Sequence, residues 1–262
     1  MPAPDPQRPF ADVAAWYHFR APYAPAAIAF LAGTFALDAH ARVLDLGCGP
    51  GTLTVPLAAA AGDVIAVDPE PQMLDEARKA ARAAGRDNIR WLRARAEDLP
   101  AELGRVRLAT LGQSFHWMDR DAVLARLADV VEPGGGLALV NPGRRRPQES
   151  WEATADAVVA HFLGPRRPQA GRNAEPDHEP ALRRSPHFSR FEPHVFHAAL
   201  TRDIAAVIGA IYSLSYASRP MFGDRATAFE AALTEALLAQ TPSGQFHERV
   251  ETEVIIARRA PD

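Results

Sequence analysis

The chain has 262 residues, 47% of them hydrophobic, with 29 basic side chains against 32 acidic ones and a formal net charge of -3. That length suffices for a substantial buried core, and the near balance of charge argues against a dedicated nucleic-acid binder. The single cysteine, Cys48, has no partner for an internal disulfide, Met1 to Pro9 lacks the apolar core of a signal peptide, and no apolar run approaches the roughly 20 residues of a membrane span. These features lead us to expect a cytoplasmic monomer or homodimer with no membrane contact.

In chain order, apolar spacing predicts helices over Ala11 to Arg20 and Ala26 to Leu37, with Pro25 at a first helical position. Then the pattern alternates: strand 43 to 46, helix 52 to 61, strand 64 to 68, helix 71 to 84 closed by Gly85, strands 89 to 93 and 106 to 111, helix 119 to 131, and strand 137 to 140. A short helix is expected near Ala101 to Leu103, and Pro56 should distort the helix that contains it. Short apolar strands separated by helices imply a doubly wound, parallel α/β sheet. From Asn141 the character changes to an insertion with Arg144-Arg145-Arg146, a helix from Trp151 to Phe162, and a loop over Gly164 to Pro180 with too little apolar surface to order itself. Strand 190 to 200, helices 204 to 216 and 225 to 240, and a final strand 247 to 257 suggest a closing antiparallel hairpin.

Two segments carry the chemistry. Val43-Leu44-Asp45-Leu46-Gly47-Cys48-Gly49-Pro50-Gly51-Thr52 reads as a strand entering a glycine turn, and Val64-Ile65-Ala66-Val67-Asp68 as a neighbouring strand that ends in an acid. Glycines let backbone approach a ligand closely, and Asp68 is placed to accept from the vicinal hydroxyls of a ribose, with a helix-capping role as its alternative. A dinucleotide turn spaces its glycines G-x-G-x-x-G, whereas here the third glycine comes one residue early. Asp45, two residues before the first glycine, would repel a pyrophosphate but suits a ligand bearing a sulfonium and an ammonium, which is S-adenosylmethionine.

On D-L-G-C-G-P-G and the downstream acid, residues 43 to 140 resemble the class I S-adenosylmethionine-dependent methyltransferases, in particular their small-molecule branch. The resemblance implies a Rossmann-like, mostly parallel seven-stranded sheet with an antiparallel last strand, N-terminal helices and a lid insertion between strands 5 and 6. It also implies one domain over 1–262, divided into a helical cover 1–40, a cofactor core 41–143, a lid 144–188 and a C-terminal part 189–262. Asp45, Gly47, Cys48 and Gly49 would surround the methionine part of the cofactor, with amides at the start of the next helix facing its carboxylate. Met73 would lie against the adenine, or else in the core. In Arg93-Ala94-Arg95-Ala96-Glu97-Asp98, which resembles the acidic turn of the family, the Ala96 amide and the Glu97 carboxylate would meet the adenine edge. Tyr17 and Arg20 resemble the tyrosine and arginine of a Y-x-x-x-R-P-x-Y element that covers the cofactor.

Gln113-Ser114-Phe115-His116-Trp117-Met118-Asp119 resembles a subgroup with an F-H-W-x-D signature, and it follows a strand whose carboxyl end should border the ligand crevice. Gln113 should therefore lie near the cofactor. His116 is the candidate general base for an acceptor hydroxyl or amine, or an orienting residue, and Asp119 is a helix N-cap. His161, His178, His187, His194 and His197 lack ligand-like spacing, so no metal is expected. The activity implied is methyl transfer to O, N or activated C of a small molecule, with S-adenosylhomocysteine as product. The alternatives are a cofactor-binding isomerase or cyclase, or a non-catalytic sensor. Acceptor choice is expected outside 43–140, with Trp151, Phe162, Tyr212 and Tyr216 as candidate surface.

Overall fold

The structure, a computed structural model, describes residues 12–100, 103–143, 150–165 and 177–259. Met1 to Pro9, Ala101, Arg144-Arg145-Arg146 and most of the Gly164 to Pro180 loop lie outside the described residues.

Seven strands form the sheet: β1 (Arg42–Leu46), β2 (Asp63–Val67), β3 (Ile89–Leu92), β4 (Val106–Gly112), β5 (Val131–Pro142), β6 (Phe191–Arg202) and β7 (Phe246–Arg258), in the order β3-β2-β1-β4-β5-β7-β6. The first five are mutually parallel, and β7 runs antiparallel to β5, as expected. β1 thus has β2 on one side and β4 on the other, and the connections leave it in opposite directions; such a switch point opens a crevice at the carboxyl ends of the strands.

The chain divides into two compact units. The larger comprises the described residues of Tyr23–Gly143, Arg172–Ala198 and Glu251–Asp262, and the smaller those of Met1–Pro22, Arg144–Gly171 and Ala199–Val250. The boundaries fall within β6 and β7, and the insertion after β5 is shared between the units.

In the larger unit the sheet is buried on both faces by side chains that alternate along each strand. Leu44, Leu46, Ile65, Val67 and Leu111 pack with Val123, Leu124 and Leu127 of α4 (Arg120–Val130). Val43, Val64, Leu108 and Val140 face the other way, toward Ala27 and Leu31 of α1 (Pro25–Thr34) and toward Leu53 and Leu57. Leu31 and Leu57 are fully buried, and truncating either to alanine is the kind of change that costs about 2–5 kcal/mol.

Several elements depart from their expected lengths for identifiable reasons. α2 spans only Thr54–Leu57: Pro56 has no amide to bond Thr52 O, which delays the start, and past Leu57 the chain also makes i+3 turns, Ala59 N–H to Pro56 O and Ala60 N–H to Leu57 O. β5 starts at Val131 rather than 137. Val106 pairs with Val131, but Leu108 pairs with Gly136, so the intervening residues bulge out. α3 (Pro71–Ala83) follows β2 as expected. Past α5 (Trp151–Leu163), the short helix α6 (Glu179–Arg184) was not foreseen in so proline- and charge-rich a stretch; Ala181 and Leu182 bury it in the core of the larger unit.

The smaller unit has an aromatic core of its own, in which Phe222 and Phe229 stack at 4.0 Å between centroids and Trp16, Phe162 and Tyr212 surround them. Its first segment is a 3-10 turn, Ala14–Phe19, rather than an α-helix. The Phe19 ring occupies the space that a side chain on Gly209 would need, 2.2 Å from an ideal Cβ. α7 (Ile204–Tyr212) ends four residues early, where Ser213 donates to Ala210 O and its carbonyl accepts from Arg20. Then come α8 (Arg219–Phe222) and α9 (Ala226–Gln240). Among the described residues no helix is long and apolar enough to cross a membrane.

Candidate functional site

β1 ends in a turn in which Gly47, Gly49 and Gly51 all have left-handed backbone, with φ of 64°, 53° and 85°. Two of these glycines serve different purposes. A Cβ on Gly47 would lie 2.4 Å from Ser114 Cβ, so this position seats the turn after β4. A Cβ on Gly49 would meet nothing within 4 Å, so its surroundings are open. We therefore expect Gly47→Ala to lower stability by about 2–5 kcal/mol through overpacking and backbone strain. Gly49→Ala should cost only about 1–2 kcal/mol, from its backbone alone. Thermal melts and calorimetry on both variants check this, and equal melting losses would contradict the division.

Asp68, just past β2, holds the turn from the side. Its Oδ2 accepts from the Gly49 amide and its Oδ1 from the Glu70 amide, both at 2.8 Å. Glu70 is the N-cap residue of α3 and that helix has no side-chain cap, so Asp68 braces the approach to α3 without capping it. Asp68 is 7% exposed, and this burial pushes its carboxyl up to about 6 against the opposing pull of the two amides. A carboxylate has about four acceptor sites, so each oxygen can still accept from one further donor.

Asp45 lies deeper, 1% exposed, with Oδ2 bonded to the Thr54 hydroxyl at 2.6 Å and Oδ1 to the Thr110 hydroxyl at 2.8 Å. Burial pushes it to about 6 as well, and the charge of Asp68 acts in the same direction. The turn thus rests on two buried acids, a field that favours a cationic ligand. Sequence reasoning missed Thr54 and Thr110, because only the pairing of β1 with β4 sets Thr110 opposite Asp45. Cys48 is buried, and burial raises its thiol well above the usual range.

Because both acids titrate higher in the fold than in the unfolded chain, their contribution to stability is fully present below pH ~4 and is lost as pH rises through 6. Each ionised carboxyl weakens the ligand-free fold by up to about 3 kcal/mol. In urea unfolding, Asp68→Asn should therefore gain stability relative to wild type between pH 4.5 and 8. A difference that stays constant with pH would refute the raised titration.

β4 leaves the sheet through Gln113, whose φ of 52° is unusual for a residue with a side chain and whose amide bonds to Val140 O. Ser114 donates to Leu46 O at 2.6 Å, tying this exit to the glycine turn. A 3-10 turn, Phe115–Trp117, then presents His116, half-buried, before Asp119 caps α4 by accepting from the Ala122 amide. The 3-10 turn after β3 (Ala96–Asp98) holds Ala96, 4% exposed, and Glu97. Glu97 Oε1 accepts from the Asp119 amide at 2.9 Å, and Oε2 faces Arg95. Met73, 2% exposed, lies in the first turn of α3.

The structure thus brings Asp45, the glycines, Cys48, Asp68, Met73, Ala96, Glu97, Gln113 and His116 into the larger unit, around the β1, β2, β3 and β4 ends. Tyr17 and Arg20 belong to the smaller unit. There Arg20 bonds Ser213 through Nε and Nη2, with its guanidinium 4.0 Å from the Tyr17 ring centroid. The helix start expected to face a carboxylate is short, and its Gly51 and Val55 amides bond within the turn. Among the described residues, no group of three or more His, Cys, Asp or Glu side chains is arranged to hold a metal.

Residues 43–135 match the family model described as a methyltransferase domain. An uncharacterized methyltransferase of Mycobacterium tuberculosis is 40% identical over 129 residues, covering 49% of each chain. The aklanonic acid methyltransferase DauC of a Streptomyces species is 33% identical over 140 residues (49% of this chain, 63% of that one). A tRNA 5-carboxymethoxyuridine methyltransferase of Escherichia coli is 36% identical over 102 residues (38% and 39%). The chain spans about half the length of the first of these relatives. Among solved structures, a candidate type II methyltransferase from Anaeromyxobacter dehalogenans superposes with a TM-score of 0.62 at 25% identity, covering 93% of this chain and 99% of that one. A SAM-dependent methyltransferase from Thiobacillus denitrificans in complex with S-adenosyl-L-homocysteine shares the fold, with a TM-score of 0.53 at 19% identity, covering 98% and 100%. The glycine turn clamped by Asp68 lies inside the matched segment, and residues 43–135 of the chain are a methyltransferase domain.

Proposed function

We propose that the chain transfers a methyl group from S-adenosylmethionine to an oxygen, nitrogen or activated carbon of a small molecule. The observation that carries this reading is the open space at Gly49 beside a carboxylate with acceptor capacity left on both oxygens. Asp68 would accept from the ribose hydroxyls. The glycine turn would border the methionine moiety, and Ala96, Met73 and Gln113 would flank the nucleoside. When bound, the cofactor supplies an electrophilic methyl on a sulfonium. The chain aligns an acceptor with that methyl, and His116 takes the proton that an acceptor hydroxyl or amine loses as its bond to carbon forms.

A small-molecule acceptor is supported by the formal net charge of -3 and by the likeness to DauC, whose name states a small-molecule substrate. The likeness to a tRNA methyltransferase supports a second reading, an RNA acceptor. One experiment separates them: labelled S-adenosylmethionine is incubated with the protein and either a panel of hydroxylated and carboxylated small molecules or bulk tRNA. Label in the small-molecule fraction with S-adenosylhomocysteine release supports the proposal. Label only in tRNA favours the second reading, and tight cofactor binding without S-adenosylhomocysteine leaves a sensor or an isomerase.

A further inference from the structure

The surroundings of His116 include a residue from outside the matched domain. His178, the N-cap residue of α6, is 8% exposed. Its ring lies 6.4 Å from the His116 ring, with only 17° between their planes, and 5.5 Å from Phe115. The segment that carries it is fastened to α4, because Arg120 Nη1 donates to Asp177 O at 2.8 Å while its guanidinium lies 5.7 Å from the Phe115 ring centroid. One turn on, Leu182 bonds its amide to His178 O, and Ala181, Leu182 and Phe188 are fully buried in the same core as Val123 and Leu127. His178 is therefore set on a rigid base, whereas His116 is half-buried on a three-residue turn.

We propose that His178 is a positioning residue, which holds the His116 ring in one orientation by packing on Phe115 and lying parallel to His116. The inference rests on the reading of His116 as proton acceptor. An imidazole at the surface of a turn has a broad second torsion, and proton transfer needs its nitrogen aligned with the acceptor; a flat neighbour removes that freedom. The contact also gives the insertion a role in the larger unit that does not depend on the cofactor-binding segments.

The test is nuclear magnetic resonance of protein labelled with nitrogen-15 in histidine, saturated with S-adenosylhomocysteine, with His116 assigned from the spectrum of His116→Gln. Wild type should give one set of His116 ring signals. His178→Ala should shift or broaden them, and His178→Phe, which keeps a flat ring on Phe115, should restore them, while S-adenosylhomocysteine affinity stays within about twofold in both. His116 signals unmoved in His178→Ala would overturn the proposal, as would equal perturbation by the two variants with the fold retained. If His178→Ala fails to fold, His178→Phe against His178→Gln gives the same comparison. The underlying reading fails separately, when His116→Gln methylates the acceptor found in the screen at the wild-type rate.

Discussion

His116→Ala is expected to lower turnover of the methyl acceptor by about 10²–10⁴-fold, the usual worth of a positioned proton acceptor. The site isolates this effect. His116 sits on the turn after β4, whereas, Gln113 apart, the groups proposed to hold cofactor come from the turns after β1, β2 and β3 and from α3. S-adenosylhomocysteine affinity should therefore change by less than about twofold. The packing of the turn depends on Phe115, 1% exposed, and on the Ser114 bond to Leu46 O, neither of which the substitution touches. A pH profile adds an independent reading: a ring that must be neutral to accept a proton imposes a falling acid limb on kcat/KM, and that limb should be missing in the variant. A rise in acceptor KM with kcat unchanged would make His116 an orienting residue instead.

Asp68→Ala should weaken S-adenosylhomocysteine binding by about 1.5–3 kcal/mol, roughly 10- to 150-fold. The loss has two sources. The carboxylate no longer accepts from ribose hydroxyls, and the Gly49 amide loses the partner that fixes the turn in its left-handed form. Hydroxyl donors also favour the ionised acid, whose value in the ligand-free protein is pushed up to about 6. Ligand affinity should therefore rise between pH 5 and 7.5, with proton release on binding near pH 6. Calorimetry in buffers of different ionisation enthalpy measures that release. Unchanged affinity in the variant would remove Asp68 from the site, and an absence of proton release would show that it does not ionise on binding.

What could be read in the amino-acid order was mostly local. The strands β1, β2 and β4 are rich in Val, Leu, Ile and Ala and end at glycine or acid, and a parallel sheet buries both faces of such segments, so pattern and position agree. Asp119 as a cap and the Gly47-to-Gly51 turn were likewise legible, because each is a local solution to a local need. The rest depends on contacts distant in sequence. Thr110 reaches Asp45 across 65 positions, His178 meets the His116 turn from beyond the matched domain, and β5 begins early because Val131 finds a partner in Val106. The division into units was equally invisible, since nothing in the order of residues shows that α5 and α6, within one insertion, are claimed by different cores.

The bond from the Asp119 amide to Glu97 Oε1 gives the two sides of the site a common currency. A ligand that recruits this carboxylate, as an adenine amine would in the proposed reading, shares it with the backbone at the point where the Phe115–Trp117 turn hands over to α4. Loading one pocket then alters the free energy of shaping the other. Linked equilibria are reciprocal, so an acceptor bound against the His116 turn must change cofactor affinity by the same factor that cofactor changes acceptor affinity. Under the proposed function, the coupling between the two ligands would thus run through a single 2.9 Å contact between two loops.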